Sequence, residues 1–339
     1  MQRLELHKSG LAWCEAPEPR IEGPDQAIVR PLAVARCDLD LPIIQRKTLF
    51  RPPFAIGHEF VGEVVETSED LAHEWPSGTR VAVSFQISCG HCASCKRGLS
   101  KTCDQQDPIS DFGMPPGAHQ FGGALSDLVL VPHAKQMMLS LPPDLDLAGV
   151  ASLSDNIAES RKLAGRFLDR ENLETVLIVG GVAASIGLYT ALLVHQTSKA
   201  KVTYLDTDRS RVDMADRLGI AAEHVSKFPK SAGRFDLVCD CSAQEEGWQM
   251  ALRSIAPGGD FTSASIFWNN KQSIPFLELY NLGAQIHLGR VDSIESMRKL
   301  LPFILDGKFT PEKIVTSRVP YKDALEAWQE PALKLVIEQ

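Results

Sequence analysis

Two hydrophobic rhythms divide the chain. Up to about Pro143, short apolar runs (AIVRPLAVA, EFVGEVVE, TRVAVSF, ALSDLVLVP) are separated by stretches rich in glycine and proline. Apolar runs of this length, punctuated by turn formers, predict short strands and tight turns, hence a mostly β region. The segment LPPDLDLAGVASLSDNIAESRKLAG reads as helical, and Pro142-Pro143 marks the boundary. From Glu174 strand and helix alternate: TVLIVGG, a small-residue helix, KVTYLDTD, the helix RSRVDMADRLG, then FDLVCDCSA and GGDFTSAS. That alternation predicts a parallel sheet with helices on both faces. After Arg290 come a helix, SIESMRKLLPFILDGK, a strand-like KIVTSRVP and a further helix, DALEAWQE.

One run imitates a membrane span. Val176 to Val194 carries no charge over 19 residues, near the length a spanning helix needs. Its β-branched start followed by Gly180-Gly181 instead predicts a buried strand, a turn and a helix. The N-terminal stretch MQRLELHKSGLAWCEAPEPR lacks the apolar core of a secretory signal, so the expected compartment is the cytoplasm. A net charge of -8 argues against a nucleic-acid partner, which would want a basic face. At 339 residues there is room for two domains, each with its own core.

Eight cysteines without a secretion signal point to metal binding more than to disulfides. Four of them, Cys89, Cys92, Cys95 and Cys103, form a C-x2-C-x2-C-x7-C array. Four thiolates complete a tetrahedral zinc shell, leaving no position for water, so such a site holds a loop and does not catalyse. Free thiols, disulfides and an iron–sulfur cluster are the alternatives. His91 is expected to be a loop residue, and Cys14 has no evident partner. Cys239 and Cys241, and Trp248, Trp268 and Trp328, are expected to pack.

Further residues acquire meaning together. Gly57-His58-Glu59-x-x-Gly62-x-Val64 follows a Cys-x-x-Asp at Cys37–Asp40 and precedes the four-cysteine array. SGTRVAV at Ser77–Val83, GALSDLVLVP at Gly123–Pro132, the strand and glycine turn at 176–187, RxxxADRLG at 211–219, PGG at 257–259 and LDGK at 305–308 complete the set. This combination resembles the zinc-containing medium-chain dehydrogenase/reductase family. The resemblance implies a two-domain α/β fold: a chaperonin-10-like, β-rich catalytic domain from residues 1–146 and 291–339, and a Rossmann domain from 147–290. It implies a catalytic zinc held by Cys37 and His58, with Asp155 as third ligand from the linking segment Ala151-Ser-Leu-Ser-Asp155. Glu59 would be an alternative ligand or a neighbouring carboxylate, and Asp40 would orient the site. A small-molecule substrate, an alcohol, polyol or carbonyl, would exchange a hydride with NAD(H). Homodimers or homotetramers are the usual assemblies of the family. The rival readings are action on an aldehyde or activated double bond, and a non-catalytic zinc- and nucleotide-binding protein.

The pattern breaks in two places. Leu39 stands where alcohol-oxidising relatives carry a hydroxyl, and Leu41-Pro42 occupies the stretch where a histidine is usual. The ordinary proton relay is therefore missing, with Ser154, Asp38 or a water as substitutes. The dinucleotide turn, VGGVAASIG, offers Gly180, Gly181 and Gly187, with Ala184 near the place of the middle glycine. Asp206, at the end of the strand VTYLD, is placed to accept hydrogen bonds from a ribose, which favours NAD over NADP. The other reading of Asp206 or of Asp208 is a helix cap.

Overall fold

Leu4 and Leu6 are fully buried, whereas Arg3, Glu5 and His7 between and beyond them are only partly so. That two-residue alternation makes Gln2–His7 a half-buried strand, β1. It pairs antiparallel with β2 (Gly10–Glu15) and with β4 (Phe54–Ala55). A second, seven-stranded sheet contains β3 (Ala27–Ala35), β5 (Glu59–Thr67), β6 (Arg80–Val83), β7 (Val129–Val131) and β8 (Met138–Ser140). The chain's tail adds β15 (Ser317–Pro320) and β16 (Leu335–Glu338), in the order β15-β16-β3-β5-β6-β8, with β7 also on β3. The β3–β5 ladder slips beside Pro31, which has no N–H to donate. Leu4, Val29, Phe60, Val81, Phe112 and Trp328 lie in the one core behind these strands. The computed structural model describes residues 1–269 and 271–339. The unit built on this core comprises Met1–Ala158, Val291–Pro302 and Glu312–Gln339.

The other unit, Glu159–Arg290 with Phe303–Pro311, is a parallel sheet. Its strands are β9 (Thr175–Val179), β10 (Lys201–Asp206), β11 (Ala221–His224), β12 (Phe235–Asp240), β13 (Ile255–Ser263) and β14 (Gln285–His287), ordered β11-β10-β9-β12-β13-β14. All five pairings are parallel. The chain moves outward from β9 to β10 and β11, then returns to lay β12 on its other side. Order thus reverses between β9 and β12, where open α/β sheets bind ligands at the carboxyl ends of the strands.

The uncharged run 176–194 is β9 followed by the helix Ala184–Thr197, whose residues 185–194 are all buried. Among the described residues no helix is long and apolar enough to cross a membrane. The helical reading of the linking segment is right in kind but not in continuity. Helix Leu147–Val150 and the 3-10 turn Ala151–Ser154 end at Asp155, whose φ of -131° and ψ of -83° break the spiral. Helix Asn156–Ser160 then restarts and loosens into a π turn, Arg161–Gly165. DALEAWQE keeps only a short helix, Ala324–Ala327, after a 3-10 turn. Cys239, Cys241, Trp248 and Trp328 are buried as expected, but Trp268 is 38% exposed.

Candidate active site and metal centres

β3 delivers the chain to Cys37 through a fixed anchor. The buried Arg36 guanidinium donates to the carbonyls of Trp328 (2.9 Å), Glu330 (2.6 Å) and Ala332 (3.1 Å). Beyond it the Cys37 N–H donates to Asp40 Oδ2 at 2.8 Å, and the Leu39 N–H to Cys37 Sγ at 3.5 Å. His58 enters from Gly57, which has φ of +86° and no room for a Cβ, because one would stand 2.9 Å from the Leu125 nitrogen. The break at Asp155 turns the third side chain toward the other two. The donor atoms of Cys37, His58 and Asp155 all lie within 4.8 Å of one another. His58 Nε2 stands 3.2 Å from Asp155 Oδ2, and Nδ1 is 3.7 Å from Asp40 Oδ1. Two ligands of a tetrahedral zinc, each roughly 2.0–2.2 Å from the ion, stand about 3.4 Å apart. The trio fits that shell, and aspartate reaches despite lacking a methylene relative to glutamate.

The electrostatics of the trio suit a bound cation. Burial pushes the Cys37 thiol well above its usual range, and Asp155, Glu59 and Asp40 push it further. Burial would depress His58, but the charges of Asp40 and Asp155 outweigh it and raise the imidazole to about 9. A buried thiol, an imidazole and carboxylates therefore share one site, and a dication there would take the place of the imidazole proton between the carboxylates and favour the Cys37 thiolate.

Glu59 faces elsewhere. Its carboxylate accepts from Lys334 Nζ (2.6 Å), Ser152 Oγ (3.1 Å) and the Asn156 N–H (2.7 Å). Lys334 is completely buried and also donates to the Arg36 carbonyl at 2.9 Å. Burial raises Glu59 to about 7, against the opposing pull of Lys334. Reading the sequence missed Lys334 and Asn156, whose Oδ1 lies 3.2 Å from Cys37 Sγ. A lysine inside the apolar run ALKLVIE was the available signal. Ser154 Oγ, next to Asp155, is buried and has no hydrogen-bond partner among the described residues.

The four-cysteine array forms a separate cluster. Cys92 and Cys103 place their sulfurs 3.9 Å apart, against about 3.8 Å for two thiolates on a tetrahedral zinc. The N–H groups of Cys95 and Asp104 donate to Cys92 Sγ at 3.4 and 3.3 Å. Burial would raise Cys92, yet these donors bring it down to about 7. Gly90, at φ of +76°, makes the turn, since a Cβ there would meet Gln136 Oε1 at 2.8 Å. His91 is exposed in the loop and contacts only the Cys89 carbonyl among the hydrogen bonds described.

At the end of β9, Gly180 leaves no space for a Cβ, which would fall 2.2 Å from Asp206 Oδ2. A Cβ on Gly181 would likewise fall 2.5 Å from the Ser242 carbonyl oxygen. Gly187 is less constrained, because a Cβ there would meet only ordinary contacts of 3.4 Å or more. Ala184 opens the helix, and the preceding cap residue Ala183 has no side chain to satisfy that end. The turn is thus a close-approach cradle at a helix N-terminus, suited to a pyrophosphate. Asp206 is fully buried and accepts from Arg211 Nε and Nη2, both at 2.8 Å, and from Tyr204 at 2.6 Å. The helix cap beside it is Asp208, which receives the Ser210 N–H at 2.9 Å.

The model of the alcohol dehydrogenase GroES-like domain matches residues 23–143. L-threonine 3-dehydrogenase of Streptomyces avermitilis is 26% identical over 346 residues, spanning 97% of this chain and 94% of that protein. An alcohol dehydrogenase from Thermus sp. ATN1 has the same fold at a TM-score of 0.86 and 22% identity, covering 100% of this chain and 99% of the other. Acetophenone reductase from Geotrichum candidum, solved with NAD, superposes at a TM-score of 0.83 with 18% identity, covering 100% and 97%.

Proposed function

We propose that the chain is a member of the zinc-containing medium-chain dehydrogenase/reductase family and a zinc-dependent oxidoreductase moving a hydride between NAD(H) and an alcohol or its carbonyl. The convergence of Cys37, His58 and Asp155 carries this reading. These three donors would hold zinc, which when bound would supply Lewis acidity to a substrate's alcohol or carbonyl group. Asp40 fixes the Cys37 backbone and faces the outer nitrogen of His58, so it orients both. Lys334 draws Glu59 away from the three donors, making it an outer carboxylate of the site. Cys89, Cys92, Cys95 and Cys103 would hold a second zinc that shapes their loop.

Gly180, Gly181, Ala184 and Gly187 receive the pyrophosphate, and Asp206 receives the ribose. Arg211 already forks onto Asp206, so the carboxylate arrives pre-oriented. An Asp206 carboxylate facing the ribose would favour NAD over NADP, with Arg211 offsetting part of its charge. The relatives named for L-threonine and acetophenone act at secondary alcohol or ketone carbons, and we infer a substrate of that class. Leu39 favours one second reading, reduction of an activated double bond, whose proton is delivered to carbon; reduction of an aldehyde would still need a proton at the forming alkoxide. The assembly we propose is a homodimer, and the eight unpaired cysteines suit the reducing cytoplasm.

The test is NADH formation by metal-analysed, zinc-replete protein over a panel of secondary alcohols, polyols and L-threonine, with ketones, aldehydes and enones in reverse. Turnover with NAD at least about tenfold faster than with NADP is expected, roughly 1.4 kcal/mol of discrimination. Removal of zinc should abolish it. No turnover across the panel in either direction would leave only the non-catalytic reading.

A further inference from the structure

Cys14 has no partner that spacing alone suggests, yet the hairpin gives it two. Arg3, Glu5 and His7 occupy the face of β1 opposite the core residues Leu4 and Leu6. Antiparallel register sets Arg3 against Cys14 and Glu5 against Ala12, so Cys14 shares that outer face. His7 Nε2 lies 3.2 Å from Cys14 Sγ and 3.2 Å from Glu5 Oε2. Arg3 donates to the other glutamate oxygen, Oε1, at 2.8 Å through Nε. Oε2 is thereby aimed at the imidazole and the thiol.

We propose that Glu5, His7 and Cys14 form a third, surface metal site for zinc or a similar thiophilic divalent ion. The donor atoms lie within 4.8 Å of one another. Ligand atoms on a tetrahedral zinc stand about 3.4 Å apart for nitrogen and oxygen and about 3.5 Å for nitrogen and sulfur, close to both observed separations. One thiol, one imidazole and one carboxylate select zinc over magnesium or calcium, which prefer oxygen alone. The side chains are partly open, His7 33% and Glu5 13% exposed, so a water or an added ligand can complete the shell. Such an ion would clip β2 to β1, whose turn lies between His7 and Gly10.

The experiment compares zinc stoichiometry in the full-length parent with that in Cys14→Ser and His7→Ala, after equilibration with zinc and removal of the free ion. Each variant should hold one equivalent less than the parent. That difference is read whatever the other two centres take up, so it separates this site from the catalytic proposal. Cobalt loading gives a second reading: the parent-minus-variant spectrum should show thiolate-to-cobalt charge transfer. Alkylation of Cys14, mapped by peptide mass, should slow at least about tenfold with zinc in the parent and be unaffected by zinc in His7→Ala, which retains the thiol. Equal stoichiometry in parent and variants, or alkylation of Cys14 indifferent to zinc in the parent, would overturn the proposal.

Discussion

Leu39 is the residue where the chemistry departs most from an ordinary alcohol dehydrogenase. Its backbone serves the site, donating to Cys37 Sγ, while its side chain packs against the apolar core and offers neither donor nor acceptor. General acid–base relays contribute roughly 10²–10⁴-fold in rate. Oxidation of simple alcohols should therefore be slow at neutral pH and rise toward alkaline pH, as hydroxide takes the proton. The Leu39→Thr variant should raise the neutral rate about tenfold or more and flatten the pH dependence. A pH–rate profile of both proteins on one accepted alcohol checks this, and brisk, pH-independent oxidation by the parent would refute it. Cys37, His58 and Asp155 were legible only through the motifs around them, whose combination resembles a known family; taken singly, none of the three stands out from a structural residue. Lys334 and the Cys14 trio were not, because their meaning depends on strands that only tertiary pairing brings side by side. His7 and Cys14 are seven residues apart, and Lys334 is 275 residues from Glu59.

Elements show the same division. The parallel sheet was readable because its strands alternate with helices, β9 and β10 being apolar runs with β-branched residues followed by a turn, and the α/β class follows from that rhythm. The short strands β4, β11 and β14 carry too few residues for any period to appear. The broken helix at 147–165 was read as one piece because apolar spacing persists across Asp155, while its backbone angles do not. For the four-cysteine loop, elements and ion are the same problem: only short helical turns, Ala93–Lys96 and Ser100–Thr102, surround it. Metal must supply what local hydrogen bonding does not. Cys92→Ser should then cost about 3 kcal/mol, roughly a 10 °C fall in melting temperature at ~2–4 °C per kcal/mol. Cys37→Ser should abolish turnover while moving the melting temperature far less. Thermal scans paired with activity separate the two, and equal melting shifts would undo the division of labour.

At the scale of the molecule, the unanswered question is what covers the last strand of the parallel sheet. β14 lies at the end of the strand order, and an uncovered edge invites pairing with another chain. The segment around it is unusually apolar for a surface: Ile266, Trp268, Ile274, Phe276, Leu277, Tyr280, Ile286 and Leu288 are all at least 36% exposed, and Tyr280 reaches 72%. Phe276 and Tyr280 stack at 6.2 Å on the helix Phe276–Leu282, which Gly283 turns directly into β14. At roughly 200 Å² for a side chain of this size, the run exposes roughly 800 Å², the area one partner contributes to a standard interface. In the homodimer proposed above a second copy would cover it, a twofold axis setting β14 against its own equivalent and one helix against the other. Sedimentation velocity should give twice the 37.2 kDa chain mass. The double variant Leu277→Glu, Tyr280→Glu removes only exposed side chains, so it should keep its circular dichroism and sediment as a monomer. A parent that is monomeric at micromolar concentration, or a dimer that survives both charges, would move the interface elsewhere and leave this face without a partner.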